Sequence, residues 1–201
     1  MNVANLIETT LESALSRIDD PAAPSGLTAA IRHAVFPGGA RVRPRLCLAT
    51  AVACGNDDPR LALAAAAAIE LLHCASLVHD DLPCFDDATL RRGRPSVHCA
   101  FGERLAVLAG DALIVLAFEV LAAAEARNPT RLAPLLRQIG RSVGRPTASL
   151  RGKRGNAKKQ LISKLITGPR RAPFLSGRRP LVRSRQAVAP VTGRVLAICW
   201  G

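Results

Sequence analysis

The sequence predicts an all-α protein, and three observations lead to this prediction. It contains no tyrosine and a single tryptophan in 201 residues, while alanine and leucine, both strong helix formers, are abundant. Apolar residues recur at helical spacing in several segments. Two further segments, residues 61–79 and 105–124, are apolar over most of their length, as helices buried in a bundle are. We therefore expect a helical domain over residues 1–144, followed by an irregular basic tail over residues 145–201.

The helical segments can be placed in chain order from their apolar spacing and their breakers. Residues 5–17 form one predicted helix, and residues 27–35 resume the helical spacing after a loop over residues 19–26 that contains two prolines. The second helix should stop at Pro37, which two glycines follow. Residues 131–139 should form one more helix. The apolar face of the first helix consists of Leu6, Ile7, Leu11, Ala14 and Leu15.

The apolar segment 105–124 is long enough to raise the question of a membrane span. Asp111 lies in its middle and Glu119 follows, and a carboxylate at the centre of a bilayer is costly. We therefore expect a core helix of a bundle and no membrane span. Asp111 should then be buried and hydrogen-bonded, or should support a nearby site.

Four aspartates lie within eight positions just after the apolar segment 61–79, and two arginines follow them. Carboxylates this close repel one another, so a fold that gathers them usually supplies a cation. Mg²⁺ takes oxygen ligands and keeps room for phosphates, and guanidinium groups bind phosphate oxygens bidentately. Pro83 should end the helix and turn the second aspartate pair back toward the first. The pattern predicts a Mg²⁺–diphosphate site, with a solvated turn of local ion pairs as the alternative. Its residues are Asp80, Asp81, Asp86, Asp87, Arg91 and Arg92.

A second candidate group surrounds the glycine pair at positions 38 and 39, which Arg41 and Arg43 follow. Glycine lets a backbone approach a ligand closely, so this segment is either a second diphosphate clamp or a corner between helices with solvated arginines. His73 and His79 are six residues apart, so they do not share a helix face as a metal-binding pair would. A histidine in an apolar helix is usually a core residue, and we assign His79 a structural role.

These residues fall into motifs that resemble the trans-polyprenyl diphosphate synthases, which make farnesyl and geranylgeranyl diphosphate. The aspartate cluster, followed by residues 90–95 and His98, looks like the first aspartate-rich motif of that family. The resemblance runs from about residue 36 to about residue 144 and implies the first half of an isoprenoid-synthase helical bundle. Three more motifs agree in order: Gly38-Gly39-Ala40-Arg41-Val42-Arg43-Pro44, Glu70-Leu71-Leu72-His73 and Ala109-Gly110-Asp111-Ala112-Leu113.

The resemblance implies a role for each motif residue. Arg91 would bind the phosphates of an allylic diphosphate, which Mg²⁺ would hold against the carboxylates of Asp80, Asp81, Asp86 and Asp87. Isopentenyl diphosphate, the second substrate, would be bound by Arg43, His73 and Arg92. The family normally has a lysine where this chain has Ala40, and the neighbouring Arg41 is the candidate to replace it.

The resemblance also implies the reaction and its product. The reaction is prenyl transfer that gives geranylgeranyl, or farnesyl, diphosphate, catalysed by an enzyme that is a homodimer when complete. The product should grow into an apolar tunnel whose wall lies about one helical turn before Asp80, at Ala75 and Ser76. Small side chains there leave room for the longer product, so Ala75→Phe in a complete enzyme should shorten it.

The charge of the chain is divided between two parts. Its formal net charge of +13 arises in residues 141–201, which contain 15 of the 28 Lys and Arg and no Asp or Glu. The first 140 residues contain the other 13 basic and all 15 acidic residues, a net charge of −2. Family members have a second aspartate-rich motif in their second half, whereas no acidic residue follows Glu125 here. We therefore expect a frameshift or truncation near residue 144, and little catalysis by this chain.

Two alternative functions follow from this composition. The chain is either a catalytically inactive helical partner of a complete synthase, or a polyanion- or nucleic-acid-binding protein that uses its basic tail. Nucleic acid is the less favoured partner, because Phe174 and Trp200 are too sparse to stack bases along a strand. The six cysteines form no Cys-x-x-Cys pair and are expected to be small buried residues in a reducing, cytoplasmic compartment. The first eight residues lack the features of a signal peptide.

Overall fold

The computed structural model describes residues 2–19, 24 and 26–143. The predicted basic tail, the predicted break near residue 144 and Cys199 lie outside these residues. The described part is almost entirely helical, as the sequence predicts, with one short hairpin between the fourth and fifth helices. The helices are α1 (Val3–Leu15), α2 (Leu27–Val35), α3 (Val42–Ala53), α4 (Pro59–Asp80), α5 (Val97–Phe101), α6 (Glu103–Ala122) and α7 (Leu132–Val143), and the strands are β1 (Leu90–Arg91) and β2 (Arg94–Pro95).

Helix α4 is the centre of the fold and packs against α1, α2, α3 and α6. Residues 64–72 are all buried, which explains why this helix has no polar face. Its five consecutive alanines, residues 64–68, have side chains small enough for neighbouring helices to approach closely. The predicted buried helix over residues 61–79 is thus confirmed.

Local signals define where α4 begins and ends. Asp58 is the N-cap: its Oδ1 accepts a hydrogen bond from the backbone N–H of Leu61 at 3.2 Å, and Pro59 occupies the first helical position. The other oxygen of Asp58 accepts from the N–H of Arg127 at 2.9 Å, which ties the start of α4 to the segment after α6. Helix α4 ends at Asp80, and a turn that contains Pro83 follows.

The other predicted helices are also present. Helix α2 has the predicted bounds, and α1 buries four of the five predicted apolar residues, while Leu6 is half-buried. Helix α3 and the hairpin were not predicted. Helix α3 contains Pro44 near its start and has apolar residues on several sides, so neither its breakers nor its spacing indicated a helix.

Helices α4 and α6 have the length and hydropathy of membrane-spanning helices. The most apolar part of α4 is 72% buried within the protein, that of α6 is 44% buried, and the two helices pack against each other. The core helices of soluble proteins have the same length and composition, and the packing of these two agrees with the predicted helical core.

The expectation for the cysteines is correct for two of the five described ones. Cys47 and Cys74 are buried, whereas Cys54, Cys84 and Cys99 are exposed, and all five are free thiols. Burial raises the pKa of the Cys74 thiol to about 12, so this side chain is an unreactive core residue. The exposed ones lie in turns or on the surface of the short helix α5, where an apolar sequence neighbourhood does not imply burial.

Candidate active site

The four predicted aspartates lie in and just after the last turn of α4. Because the chain turns back at residues 82–85, the backbone N–H of Asp86 donates to the carbonyl of Asp80 at 2.9 Å. The N–H of Ala88 donates to the carbonyl of Asp81 at 3.2 Å, which closes the same turn. Asp87 has a φ of +48°, a backbone conformation that costs a non-glycine residue about 1 kcal/mol or more. The second aspartate pair is therefore folded against the first.

Asp81 differs from the other three aspartates because it is buried, with 2% of its surface exposed. Both of its carboxylate oxygens accept from Arg91, whose Nε lies 3.1 and 3.0 Å from them, and the Nη2 of Arg91 also donates to Oδ1. The carboxylate of Asp81 raises the pKa of Arg91 through these hydrogen bonds. The structure thus joins a predicted metal-ligating residue directly to the predicted phosphate-binding arginine.

The donor set at this turn has the chemistry that Mg²⁺ requires, although it is not a closed cage. Within residues 2–19, 24 and 26–143, no three His, Cys, Asp or Glu side chains converge as a metal-binding group. Mg²⁺ is usually bound by one or two carboxylates and completes its coordination with water and substrate phosphates. Asp86 and Asp87 are exposed, and Asp80 is half-buried beside them. These carboxylates fit an ion that arrives together with a diphosphate.

The two arginines that follow the aspartates lie on a hairpin that sequence reasoning missed. Leu90 pairs with Pro95 and Arg91 with Arg94 in antiparallel register, so the two-residue turn is Arg92-Gly93. Both turn residues have positive φ, +53° and +75°, as a type I′ turn requires. Gly93 was the available signal, but two-residue strands are too short to be detected from alternation of apolar residues.

Arg43, His73 and Arg92, the residues predicted to bind isopentenyl diphosphate, lie close enough together for the two arginines to influence the pKa of the histidine. Burial, and then the positive charges of Arg43 and Arg92, lower the pKa of His73 from 6.5 to about 4. A Cβ placed on Gly39 would lie 3.2 Å from Cζ of Arg92, so the guanidinium of Arg92 lies against this glycine. His73 is therefore a neutral imidazole at neutral pH, placed among guanidinium groups that favour an anion.

Arg41 does not take the place of the missing lysine. It is 5% exposed, and its guanidinium donates to Glu8 at 2.8 and 3.1 Å, to Glu70 at 2.9 Å and to the carbonyl of Val35 at 2.9 Å. Its Cζ would lie 2.1 Å from a Cβ at Gly38, so this glycine provides space for the arginine. Because these bonds hold its guanidinium against Glu8, Glu70 and Val35, Arg41 fixes the loop and is not available to replace the lysine.

The expectation that Asp111 is buried is wrong. Its side chain is 62% exposed, and one of its oxygens lies 3.5 Å from Nε2 of His79. The apolar composition around it gave no indication of which side of α6 faces outward, and residues 107, 108, 111 and 115 share the exposed side. His79 packs against Gly110, where a Cβ would lie 2.1 Å from Nε2 of the ring. A structural role for His79 is consistent with this contact.

The two predicted chain-length residues have different environments. Ala75 is buried in the core with 1% of its surface exposed. Ser76 is half-buried, and its hydroxyl donates to the carbonyl of His73 at 2.8 Å. A cavity of about 40 Å³ lies nearby, with room for a few water molecules, and its lining includes Leu77, Val78, Asp81 and Arg91.

Two curated proteins are similar to most of this chain. A geranylgeranyl diphosphate synthase of Cereibacter sphaeroides is 51% identical over 155 residues, which are 77% of this chain and 54% of that protein. A geranylgeranyl diphosphate synthase of Rhodobacter capsulatus is 51% identical over 144 residues, which are 72% of this chain and 50% of that protein. The chain thus spans about half the length of these relatives.

Solved structures show the same helical fold. A geranyltransferase from Legionella pneumophila superposes with a TM-score of 0.65 at 32% identity, covering 81% of this chain and 60% of that protein. An FPP/GFPP synthase from Zymomonas mobilis superposes with a TM-score of 0.59 at 37% identity, covering 86% of this chain and 62% of that protein. The sequence model of the polyprenyl synthetases matches residues 24–143. The chain belongs to the polyprenyl synthetase family.

Proposed function

We propose that residues 1–144 form the substrate-binding first half of a polyprenyl diphosphate synthase that makes geranylgeranyl, or farnesyl, diphosphate. The observation that supports this most is the arrangement at the end of α4. The aspartate turn and Arg91 lie on one side, and the basic group of Arg43, His73 and Arg92 lies next to it. Two anion-binding groups side by side suit two diphosphates whose prenyl parts must meet.

The allylic diphosphate is assigned to the aspartate turn. Asp80, Asp86 and Asp87 would hold Mg²⁺ with the phosphates. Asp81 was also expected to be a metal ligand, but both of its oxygens accept from Arg91, and its proposed role is therefore to hold this arginine in place. Mg²⁺, when bound there, neutralises the charge on the leaving diphosphate. Arg91 presents fixed N–H donors to those phosphate oxygens, so little reorganisation is needed as the carbon–oxygen bond breaks.

Isopentenyl diphosphate is assigned to Arg43, His73 and Arg92. The two guanidinium groups offset the charge of its diphosphate, and the neutral imidazole of His73 donates one hydrogen bond without adding charge. Its double bond then attacks C1 of the allylic cation, a carbon–carbon bond forms, and the released diphosphate accepts the proton that is lost. Ala75 and Ser76, one turn before the aspartates, have small side chains that leave room for the longer product.

Further proposals concern the partners and the location of the enzyme. Helix α6 leaves Val107, Leu108 and Val115 between 41% and 57% exposed, which is unusual for a helix this apolar. We infer that a complete enzyme covers this face in a homodimer. A cytoplasmic location suits its charged, water-soluble diphosphate substrates.

Two other functions are distinguishable from this one by simple assays. An active synthase forms a longer prenyl diphosphate from geranyl and isopentenyl diphosphates, and this reaction depends on Mg²⁺. Binding of both diphosphates without product identifies an inactive helical partner, as expected if the missing second acidic motif reflects a frameshift. Salt-sensitive DNA binding that is lost when residues 145–201 are deleted identifies a nucleic-acid-binding tail.

The assignment of the allylic site is tested by changing its two exposed aspartates together. The double variant Asp86→Asn, Asp87→Asn should bind geranyl diphosphate at least about tenfold more weakly in the presence of Mg²⁺, because the carboxylates no longer attract the ion. Calorimetric titration with and without EDTA measures this.

The matched control is Asp19→Asn, which removes an exposed aspartate that pairs with Arg32 and lies in the segment after α1. It should leave the affinity unchanged. Equal affinity of the wild type and the double variant would reject the aspartate turn as the site of the Mg²⁺-bound diphosphate.

A further inference from the structure

The hairpin that carries Arg91 and Arg92 is attached to the protein at a second point, on α2. Through Nη1, Arg94 donates to the carbonyl of Phe36 at 2.9 Å, and its Nη2 lies 2.9 Å from Nδ1 of His33. Nε2 of His33 lies 2.8 Å from the carbonyl of Pro95. Since Arg94 can only donate, Nδ1 of His33 accepts, and the neutral ring carries its proton on Nε2 and donates it to Pro95.

The ring of His33 is itself fixed by packing. It meets Phe101 of α5 edge to face, with ring centroids 5.3 Å apart and an interplanar angle of 72°. Such aromatic pairs prefer this geometry and add to the energy of burial. His33 therefore has three fixed neighbours: the arginine, the backbone of β2 and an aromatic ring on the following helix.

Arg94, which bonds to His33 and Phe36, pairs across the hairpin with Arg91, one of the two arginines proposed to bind diphosphate. Arg94 is directly opposite Arg91, so both side chains project from the same face of the ribbon. Arg91 is held by Asp81, and Arg94 is held by His33 of α2 and by Phe36, which directly follows that helix. Strands of two residues are too short to be stable alone, and Arg92 adopts a left-handed conformation that the surrounding structure must impose.

We propose that Arg94 and His33 are positioning residues: their hydrogen bonds clamp the hairpin to α2 so that Arg92 stays over Gly39 and faces isopentenyl diphosphate. Two of the N–H groups of Arg94 already donate to Phe36 and His33, so its role in this proposal is exerted through the position of Arg92 and not through a bond to the ligand. This inference rests on the proposed function for its effect on affinity, but the clamp itself can be measured without any ligand.

The first measurement is amide hydrogen exchange of the full 201-residue chain. The N–H of Ser96 donates to the carbonyl of Thr89 at 2.9 Å across the base of the hairpin, so its exchange reports opening of the ribbon. Arg94→Met and His33→Phe should each raise this rate about tenfold, because they remove the hydrogen bonds that hold the hairpin. Both substitutions leave a side chain of similar length or size, so that the packing changes little. Arg94→Lys should recover part of the protection through one bond to Phe36. Arg60→Met, at the distant start of α4, should not change the rate.

The second measurement is a double-mutant cycle on the affinity for isopentenyl diphosphate. Arg94→Met should weaken binding about tenfold in the wild type and have almost no further effect in an Arg92→Met background. An equal loss in both backgrounds would show that Arg94 contacts the ligand and would overturn the inference. An unchanged exchange rate in Arg94→Met would also overturn it. A wild type that binds no isopentenyl diphosphate rejects the proposed function, and the exchange rates then decide the clamp on their own.

Discussion

At the scale of single residues, Arg41 and Glu70 form an ion pair in which both side chains are buried. Their side chains are 4% and 3% exposed, and removal of one member of such a pair leaves a buried charge without its counterion. Glu8 of α1 completes the arrangement, so three segments depend on one guanidinium. Burial opposes the charge of Arg41, but the hydrogen bonds that it donates to Glu8 and Glu70 outweigh this effect and raise the pKa of the arginine, which therefore stays charged.

This pair predicts a large effect on stability. Glu70→Gln should lower the free energy of unfolding by about 3–5 kcal/mol, as should Arg41→Met. Urea titration followed by circular dichroism measures the change.

Arg32→Met is the matched control, since it also removes an arginine that pairs with two carboxylates, on Glu12 and Asp19, but at the surface. Its cost should stay below about 1 kcal/mol. Similar losses for Arg32→Met and Arg41→Met would show that burial is not what makes the inner pair important.

At this scale the sequence indicated where compensating charge is needed, because carboxylates as close as those of the aspartate cluster repel one another. Asp81 pairs with Arg91, a contact that the predicted Mg²⁺–diphosphate site and the alternative turn of local ion pairs share. The fate of Arg41 was not predictable. Its partners Glu8 and Glu70 are 33 and 29 positions away along the chain, and only the packing of α1 on α4 brings them together.

At the scale of elements, the packing of α4 on α6 depends on one position without a side chain. Gly110 faces the ring of His79, which occupies the space that a Cβ would need. His79 directly precedes Asp80, so its placement also affects the end of α4.

Gly110→Ala should therefore destabilise the protein by about 1–3 kcal/mol, because the imidazole ring must leave its position. The same substitution in a His79→Ala background should be neutral or stabilising, since alanine is the better helix former and the obstruction is gone. Thermal unfolding of the four proteins measures the cycle.

Gly140→Ala is the control, because Gly140 lies in α7 and, apart from its chain neighbours and the backbone of its own helix, no atom of the described residues lies within 4 Å of the place that its Cβ would take. It should stabilise the protein by about 0.5–1 kcal/mol. An identical cost for Gly110→Ala with and without His79 would contradict the proposed contact.

Elements were predictable in proportion to their length and periodicity. Helix α2 has the predicted bounds because its apolar spacing and Pro37 agree. The exposed position of Asp111 was missed because an almost uniformly apolar helix gives no indication of its outer face. The hairpin was missed because its stability comes from Asp81, His33 and Phe36, which lie outside it.

At the scale of the whole molecule, the described residues form a helical bundle with one apolar helix face left exposed. Helix α6 keeps an exposed apolar side, and the chain spans about half the length of its curated relatives. The division into a nearly neutral first part and a basic second part is a property of the sequence. Residues 145–201 lie outside the described residues. Resequencing of the coding DNA across the codons for residues 139–149 tests the proposed frameshift.

The proposed binding of a diphosphate by Arg43, His73 and Arg92 should change the pKa of the His73 imidazole, which can be measured directly. Its pKa of about 4 lies below the ordinary 6.5 because of burial and neighbouring positive charge. The folded protein therefore resists protonation that the unfolded chain accepts, so this residue lowers the stability of the fold as the pH falls from about 6.5 to about 4. A bound anion opposes the arginine charges and must raise the pKa.

The most direct measurement is an NMR titration of the His73 imidazole with pH, in the full chain, with and without isopentenyl diphosphate. The signal is assigned by its loss in His73→Gln, since the chain has four histidines. We expect the ligand to raise the pKa of His73 from about 4 toward 6.5, and Arg43→Met to weaken binding about tenfold. A His73 pKa that does not change at saturating isopentenyl diphosphate would contradict the assignment of this diphosphate to Arg43, His73 and Arg92.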